Sequence, residues 1–253
     1  MVQQNADTAL GRNGKARNAG VSETAADTLV HPFDKAMALH AAADGTFVGH
    51  TSDDYWNFTG PFGGATAATL LRAVMRHPRR LGTPLSVTVN FCAPVAKGEF
   101  SITVREMRSN RSTQHWFMEL AQADAGTTAT ATAVFAQRRA SWAHQAAQMP
   151  AAAAFESLPS LPTQGMMAWM QHYDFRFASD MPRRLGPTPN AEPESARSVV
   201  WINERRPRPL DFCSLLAFAD TFFGRIFHVR GAMVPIGTVS MATYFHADAD
   251  DLA

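Results

Sequence analysis

Cysteine is nearly absent: 253 residues contain two, Cys92 and Cys213. That excludes a disulfide scaffold and makes free thiols in a reducing compartment the simpler reading. Neither stands at a metal-ligand spacing from the other or from a histidine pair, so no metal centre is expected. Long apolar runs are missing too, and nothing approaches the ~20 residues of a membrane-spanning helix. The net charge of +1 gives no global pull toward nucleic acid or an anionic membrane. Residues 1–28 lack the apolar core of a secretory signal, and Asp7, Glu23 and Asp27 are out of place in an organelle transit segment. This stretch reads as a disordered tail and the protein as cytoplasmic. Ser112, Ser214 and Ser240 lack a G-x-S-x-G setting, and no phosphate loop or dinucleotide fingerprint occurs.

What is present is a strong pattern of elements. His31 to Ala42 reads as a short helix, and Thr46 to His50 and Asp54 to Phe58 as short strands. Gly60-Pro61-Phe62-Gly63-Gly64 forces a bend before Ala65 to Met75, a helix apolar almost all round and therefore buried. Leu85 to Ala93, Glu99 to Met107, Thr113 to Ala123 and Thr127 to Gln137 then read as strands separated by hairpin turns. One apolar helix followed by antiparallel strands predicts a curved sheet wrapped around that helix. Phe62, Leu70, Leu71 and Val74 should pack against Val87, Val89, Phe91, Val104 and Phe135. Residues 138–162 read as a linker. Beyond it come strand candidates at Tyr173 to Ala178 and Ser198 to Asn203, separated by a Pro-rich loop from Met181 to Glu194. A helix from Pro209 to Phe223 and a strand from Thr238 to Phe245 complete the chain. The succession helix then strand occurs twice, which suggests an internal duplication.

Three features could carry chemistry. Gly63-Gly64 opens the buried helix, where unpaired amides could polarise a carbonyl; the alternative is that the glycines merely permit the bend. Asp220 follows Leu216 and precedes Phe223 at helical spacing, so its carboxylate either lies on an apolar face, with a pKa raised toward that of a base, or points into solvent at the helix end. The Thr238 hydroxyl could position a water beside it, or Thr238 could simply be a strand former. Three arginine groups, Arg72/Arg76/Arg79/Arg80, Arg105/Arg108/Arg111 and Arg205/Arg206/Arg208, are candidates for meeting phosphates.

Trp56-Asn57-Phe58-Thr59-Gly60-Pro61-Phe62-Gly63-Gly64 resembles the strand-turn-helix entry of type II acyl-CoA thioesterases. Ser86 to Pro94, Arg108 to Ser112 and Ala131 to Phe135 are similar to their next strand, basic turn and closing strand. Leu215 to Asp220 is similar to the helix bearing the family's catalytic aspartate, and Thr238 to His246 to the strand opening with its catalytic threonine. The resemblance implies an α+β double hot-dog fold, with antiparallel sheets each wrapped around a central helix. It places an N-terminal unit at 29–137 and a C-terminal unit at 163–253. It also implies hydrolysis of acyl-CoA thioesters without a metal or cofactor, by a water held by Asp, Thr and Gln. Asp220 and Thr238 match the first two; Trp56, Phe62, Gly63 and Gly64 become candidate substrate-binding residues.

By the repeat, three strands follow Ala93 in the first unit, whereas seven residues follow His246 in the second. The second unit is therefore expected to be incomplete, without the glutamine-bearing strand, and to leave an open edge answered by poor solubility or by homo-oligomer formation. The competing functions are a non-catalytic acyl-CoA-binding protein or an inactive, truncated remnant of such an enzyme, and an enoyl-CoA hydratase, which would need an Asp–His pair at a helix start.

Overall fold

The computed structural model describes residues 30–43, 45–179, 181, 197–222, 226, 234–248 and 251. The expected tail at 1–28, most of the Pro-rich loop and Phe223 lie outside them.

A short helix α1 (Pro32–Ala36) and strands β1 (Leu39–Ala41) and β2 (Thr46–His50) lead to the long helix α2 (Gly63–Met75). Four strands follow: β3 (Thr83–Phe91), β4 (Glu99–Ser109), β5 (Thr113–Gln122) and β6 (Gly126–Ala136). After a long connection come β7 (Tyr173–Ser179), β8 (Val199–Glu204), helix α3 (Phe212–Ala219) and β9 (Ser240–Tyr244). The succession β1-β2-α2-β3 is thus repeated as β7-β8-α3-β9. One antiparallel sheet has the order β1-β2-β4-β5-β6-β3-β9, and β7 and β8 form a second, two-stranded sheet.

Alternation builds the large sheet. Phe100, Ile102 and Val104 of β4, and Trp116, Met118 and Leu120 of β5, are buried at every second position. They meet α2, whose Leu70, Leu71, Ala73 and Val74 are inaccessible to solvent. The helix is apolar all round because the sheet covers one side and α3 packs on another. Val87, Val89 and Phe135 join this core as the alternation predicts, but Phe91 is only partly buried. Phe62 packs elsewhere than expected: its ring stacks on Trp169, with centroids 4.1 Å apart and planes 6° from parallel.

β9 joins the two halves. It pairs with β3 from Ser86↔Tyr244 to Asn90↔Ser240. Beyond β9, Arg138 donates to the Phe245 carbonyl (2.7 Å) and pairs with Asp248 (3.2 Å). In the first half β4, β5 and β6 bridge β2 to β3; among the described residues nothing bridges β8 to β9, and the outer edge of β9 carries no strand.

Several boundaries differ from the sequence expectation. α1 ends at Ala36, and the chain turns into β1 instead of continuing to Ala42. Asp53–Tyr55 is a turn of 3-10 helix rather than the start of a strand. α3 begins at Phe212 because Asp211 caps it: the Asp211 side chain accepts from the Ser214 amide (2.7 Å), and the Ser214 hydroxyl accepts from the Asp211 amide (2.9 Å). The connection 138–162 is anchored at its far end, where Trp201 donates to the Ala153 carbonyl, Arg176 donates to those of Phe155 and Leu158, and Leu161 is buried.

Candidate active site

The loop between Tyr55 and Phe62 fixes how α2 begins. The Phe62 amide donates to the Tyr55 carbonyl (2.8 Å), the Asn57 amide to the Gly60 carbonyl (2.8 Å), and Trp56 bridges to Pro61. The first amides of α2, at Gly63 and Gly64, have no carbonyl one turn earlier in the helix to receive them. Neither glycine has a positive φ, so the bend does not require them. What requires them is close approach. A Cβ on Gly63 would lie 2.6 Å from the Asp220 carboxylate, and one on Gly64 would lie 2.6 Å from the Ala217 carbonyl. The end of α3 therefore presses on the start of α2.

Asp220 caps that end of α3. It is partly buried, and burial pushes its pKa up from 3.8 to about 6, opposed by a hydrogen bond from the Gly64 amide. Leu216, one turn earlier on the same face, is fully buried. Of the two readings of Asp220, the structure places it on the inward side.

A cleft of about 340 Å³ opens beside it, lined among others by Asn57, Thr66, Phe91, Val95, Asp220 and Thr238. Gly63 and Pro61 lie on its wall, and the ring of Phe91 reaches to within 3.3 Å of where a Gly63 Cβ would stand. That position explains the partial exposure of Phe91. Thr238 is exposed and two residues ahead of β9 instead of opening it. It is held near the cleft because the next carbonyl, that of Val239, accepts from the Phe91 amide (2.9 Å).

The structure thus brings Asp220, Thr238 and Gly63 to one cleft, with Gly64 behind Asp220. Phe62 and Trp56 do not line it. Phe62 is core, stacked on Trp169, and Trp56 is half-buried with the Lys97 ammonium 5.1 Å from its ring centroid. The arginine groups are also elsewhere. Arg76 and Arg80 donate to carbonyls of Leu39, Met75 and Gly82, Arg79 pairs with Glu106, and Arg72 and Arg208 pair with Asp34. Asn57 is a cleft residue that the sequence reading passed over: its side-chain oxygen is buried and has no hydrogen-bond partner among the described residues. Its only signal was its place in the loop before the glycines.

Residues 52–136 match the acyl-CoA thioesterase N-terminal domain, and residues 143–253 the acyl-CoA thioesterase C-terminal domain. The chain belongs to the acyl-CoA thioesterase family. Among solved structures it is similar to a hot-dog-fold protein of unknown function from Alicyclobacillus acidocaldarius, with 40% identity over 88% of this chain and 81% of that one, and a TM-score of 0.81. The fold is shared with an acyl-CoA thioesterase II from Mycobacterium marinum (22% identity over 74% of this chain and 68% of that one, TM-score 0.56). It is shared also with a tesB protein from Mycobacterium avium subspecies paratuberculosis (17% over 85% and 79%, TM-score 0.67). A search of curated proteins gives no match. The fold is thus the α+β double hot-dog that the sequence pattern and resemblance imply. No described helix is long and apolar enough to cross a membrane.

Proposed function

We propose that the protein hydrolyses acyl-CoA thioesters, with Asp220 as general base and Thr238 and Asn57 orienting the water. The observation that carries this reading is the Asp220 carboxylate, desolvated beside the Gly63–Gly64 start of α2 and open to a cleft. With a pKa near 6 it is ionised at neutral pH yet more basic than an ordinary aspartate. It takes a proton from a water whose oxygen adds to the thioester carbon. The Gly63 amide is the donor for the carbonyl oxygen as negative charge develops there, since the Gly64 amide already serves Asp220. Collapse breaks the C–S bond, and the proton on Asp220 passes to the departing sulfur. The test is release of free thiol from acyl-CoA, followed with a thiol-trapping reagent. Hydrolysis that disappears in Asp220→Asn supports the mechanism.

One observation favours a second reading. Among the described residues lining the cleft there is no glutamine, the third member implied by the family resemblance. A protein that binds acyl-CoA without hydrolysing it would show saturable binding in calorimetry and no thiol release.

A further inference from the structure

Behind the cleft, between α2 and the sheet, lies a second void of about 20 Å³. The two share Pro61, Thr66 and Val95 as a common partition. The inner void is lined further in by Thr69, Phe100 and Leu120. The hydroxyls of Thr66 and Thr69 donate to the carbonyls of Phe62 (3.4 Å) and Ala65 (2.7 Å), so the helix presents no free hydroxyl there. The opposite side of the void carries His50, Thr51, Ser52 and Tyr55, so it is the stretch bounded by Thr66, Thr69, Phe100 and Leu120 that alkyl matter fills at least cost.

The sheet-side wall is tight. Phe100 is 6% exposed and Leu120 1%. Phe100 stands opposite Gly49 across the β2–β4 pair, and a Cβ on Gly49 would come within 2.7 Å of its ring. The glycine lets the phenyl ring lie down over its own partner strand and close off the space. What remains holds about one water-sized group. From Gly63, whose amide would meet the thioester carbonyl, to Thr69 the helix rises about 9 Å at ~1.5 Å per residue, the reach of an extended chain of roughly seven carbons.

We infer that Phe100 sets the length of acyl chain this site accepts, limiting it to short chains; this rests on the acyl-CoA reading above. A chain longer than about seven carbons meets the Phe100 ring and must displace it from Gly49.

The test is calorimetric titration of the full chain with non-hydrolysable S-alkyl-CoA thioethers, from ethyl to dodecyl. For the unsubstituted protein, affinity should rise by up to roughly fourfold per methylene as far as about heptyl, then level or fall. In Phe100→Ala the break should move to longer chains, and in Phe100→Leu by less. A steady gain through dodecyl in the unsubstituted protein overturns the inference, as does an unmoved break in folded Phe100→Ala. If that variant does not fold by circular dichroism, Thr69→Ile narrows the same void from the helix side; it should move the break to shorter chains, and an unmoved break overturns the inference. Thiol release measured in parallel separates the two claims. A break in binding without hydrolysis defeats the catalytic reading and upholds the length limit. Hydrolysis without a break defeats the length limit alone, and no affinity for any thioether defeats both.

Discussion

Asp220→Asn replaces one carboxylate oxygen by nitrogen and leaves the other position able to accept from the Gly64 amide, so the contact between α2 and α3 keeps its shape. The charge is what changes. In the native protein burial raises the Asp220 pKa from 3.8 to about 6. The folded state therefore holds this proton more tightly than the unfolded state does. Stability from this group is greatest below the unfolded pKa, where both states are protonated, and is lost as pH rises through about 6. Above that the penalty is of order 3 kcal/mol, from ~1.4 kcal/mol per tenfold change in proton affinity. Partial exposure trims it toward about 2 kcal/mol. Asparagine carries no such penalty. At pH 8 the variant should be more stable by about 2–3 kcal/mol, a rise in Tm of roughly 4–12 °C for a domain of this size; at pH 4 the advantage should nearly vanish. Hydrolysis should fall by ~100-fold or more, and that of the native protein should rise with pH through about 6 as the base ionises. Calorimetric melting at the two pH values and the thiol-release assay check both halves. An equal Tm difference at pH 4 and pH 8 would refute the electrostatic account, and near-normal turnover would remove Asp220 from the mechanism.

Gly63→Ala should strike the site more than the fold: the added methyl falls 2.6 Å from the Asp220 carboxylate and only 3.3 Å from the Phe91 ring, so thiol release should drop at least tenfold while far-ultraviolet circular dichroism is retained. Leu71→Ala empties a site with no solvent exposure and should cost about 2–5 kcal/mol in urea unfolding. Arg208→Ala removes the cation shared by Asp34 and Asp211, each at 2.9 Å, and faced by Glu204. Asp34 keeps Arg72 and Glu204 keeps His31, and Asp34 and Asp211 are partly exposed, so the loss should be about 1–3 kcal/mol, below that of a fully buried pair. The loss should be smaller at low pH, because burial already raises the Glu204 pKa to about 7 and protonation relieves it further.

The first sheet was legible because it is covered on one face and its strands alternate, so β4 and β5 declare their burial residue by residue. α2 was legible because a helix apolar all round has to be enclosed. What stayed hidden depends on partners distant in sequence. Nothing near Phe62 announces Trp169, more than a hundred residues later, so a core ring was taken for a substrate contact. The arginines after α2 have the charge for phosphate, but the structure engages Arg76 and Arg79 with the Leu39 carbonyl and Glu106 of other segments, and Arg80 with the nearby carbonyls of Met75 and Gly82. Asn57 shows the opposite failure. An unremarkable loop residue acquires interest only when its buried oxygen is found without a partner among the described residues.

The pair Gly63-Gly64 shows why sequence alone left the site undecided. Read as a bend or as an amide donor site, two glycines fit both descriptions. The structure separates the two residues by what a side chain would strike. At Gly64 it would strike the Ala217 backbone of α3, so this glycine sets how closely the helices pack. At Gly63 it would strike the Asp220 side chain, so this glycine keeps the carboxylate seated. The first contact produces the second, since α3 must lie this close for its capping aspartate to reach the α2 amides. The cleft is consequently a property of the helix pair. The donors come from the first half of the chain, the carboxylate and Thr238 from the second, and the Phe91–Val239 hydrogen bond between β3 and the segment leading into β9 holds the two together at the cleft's edge.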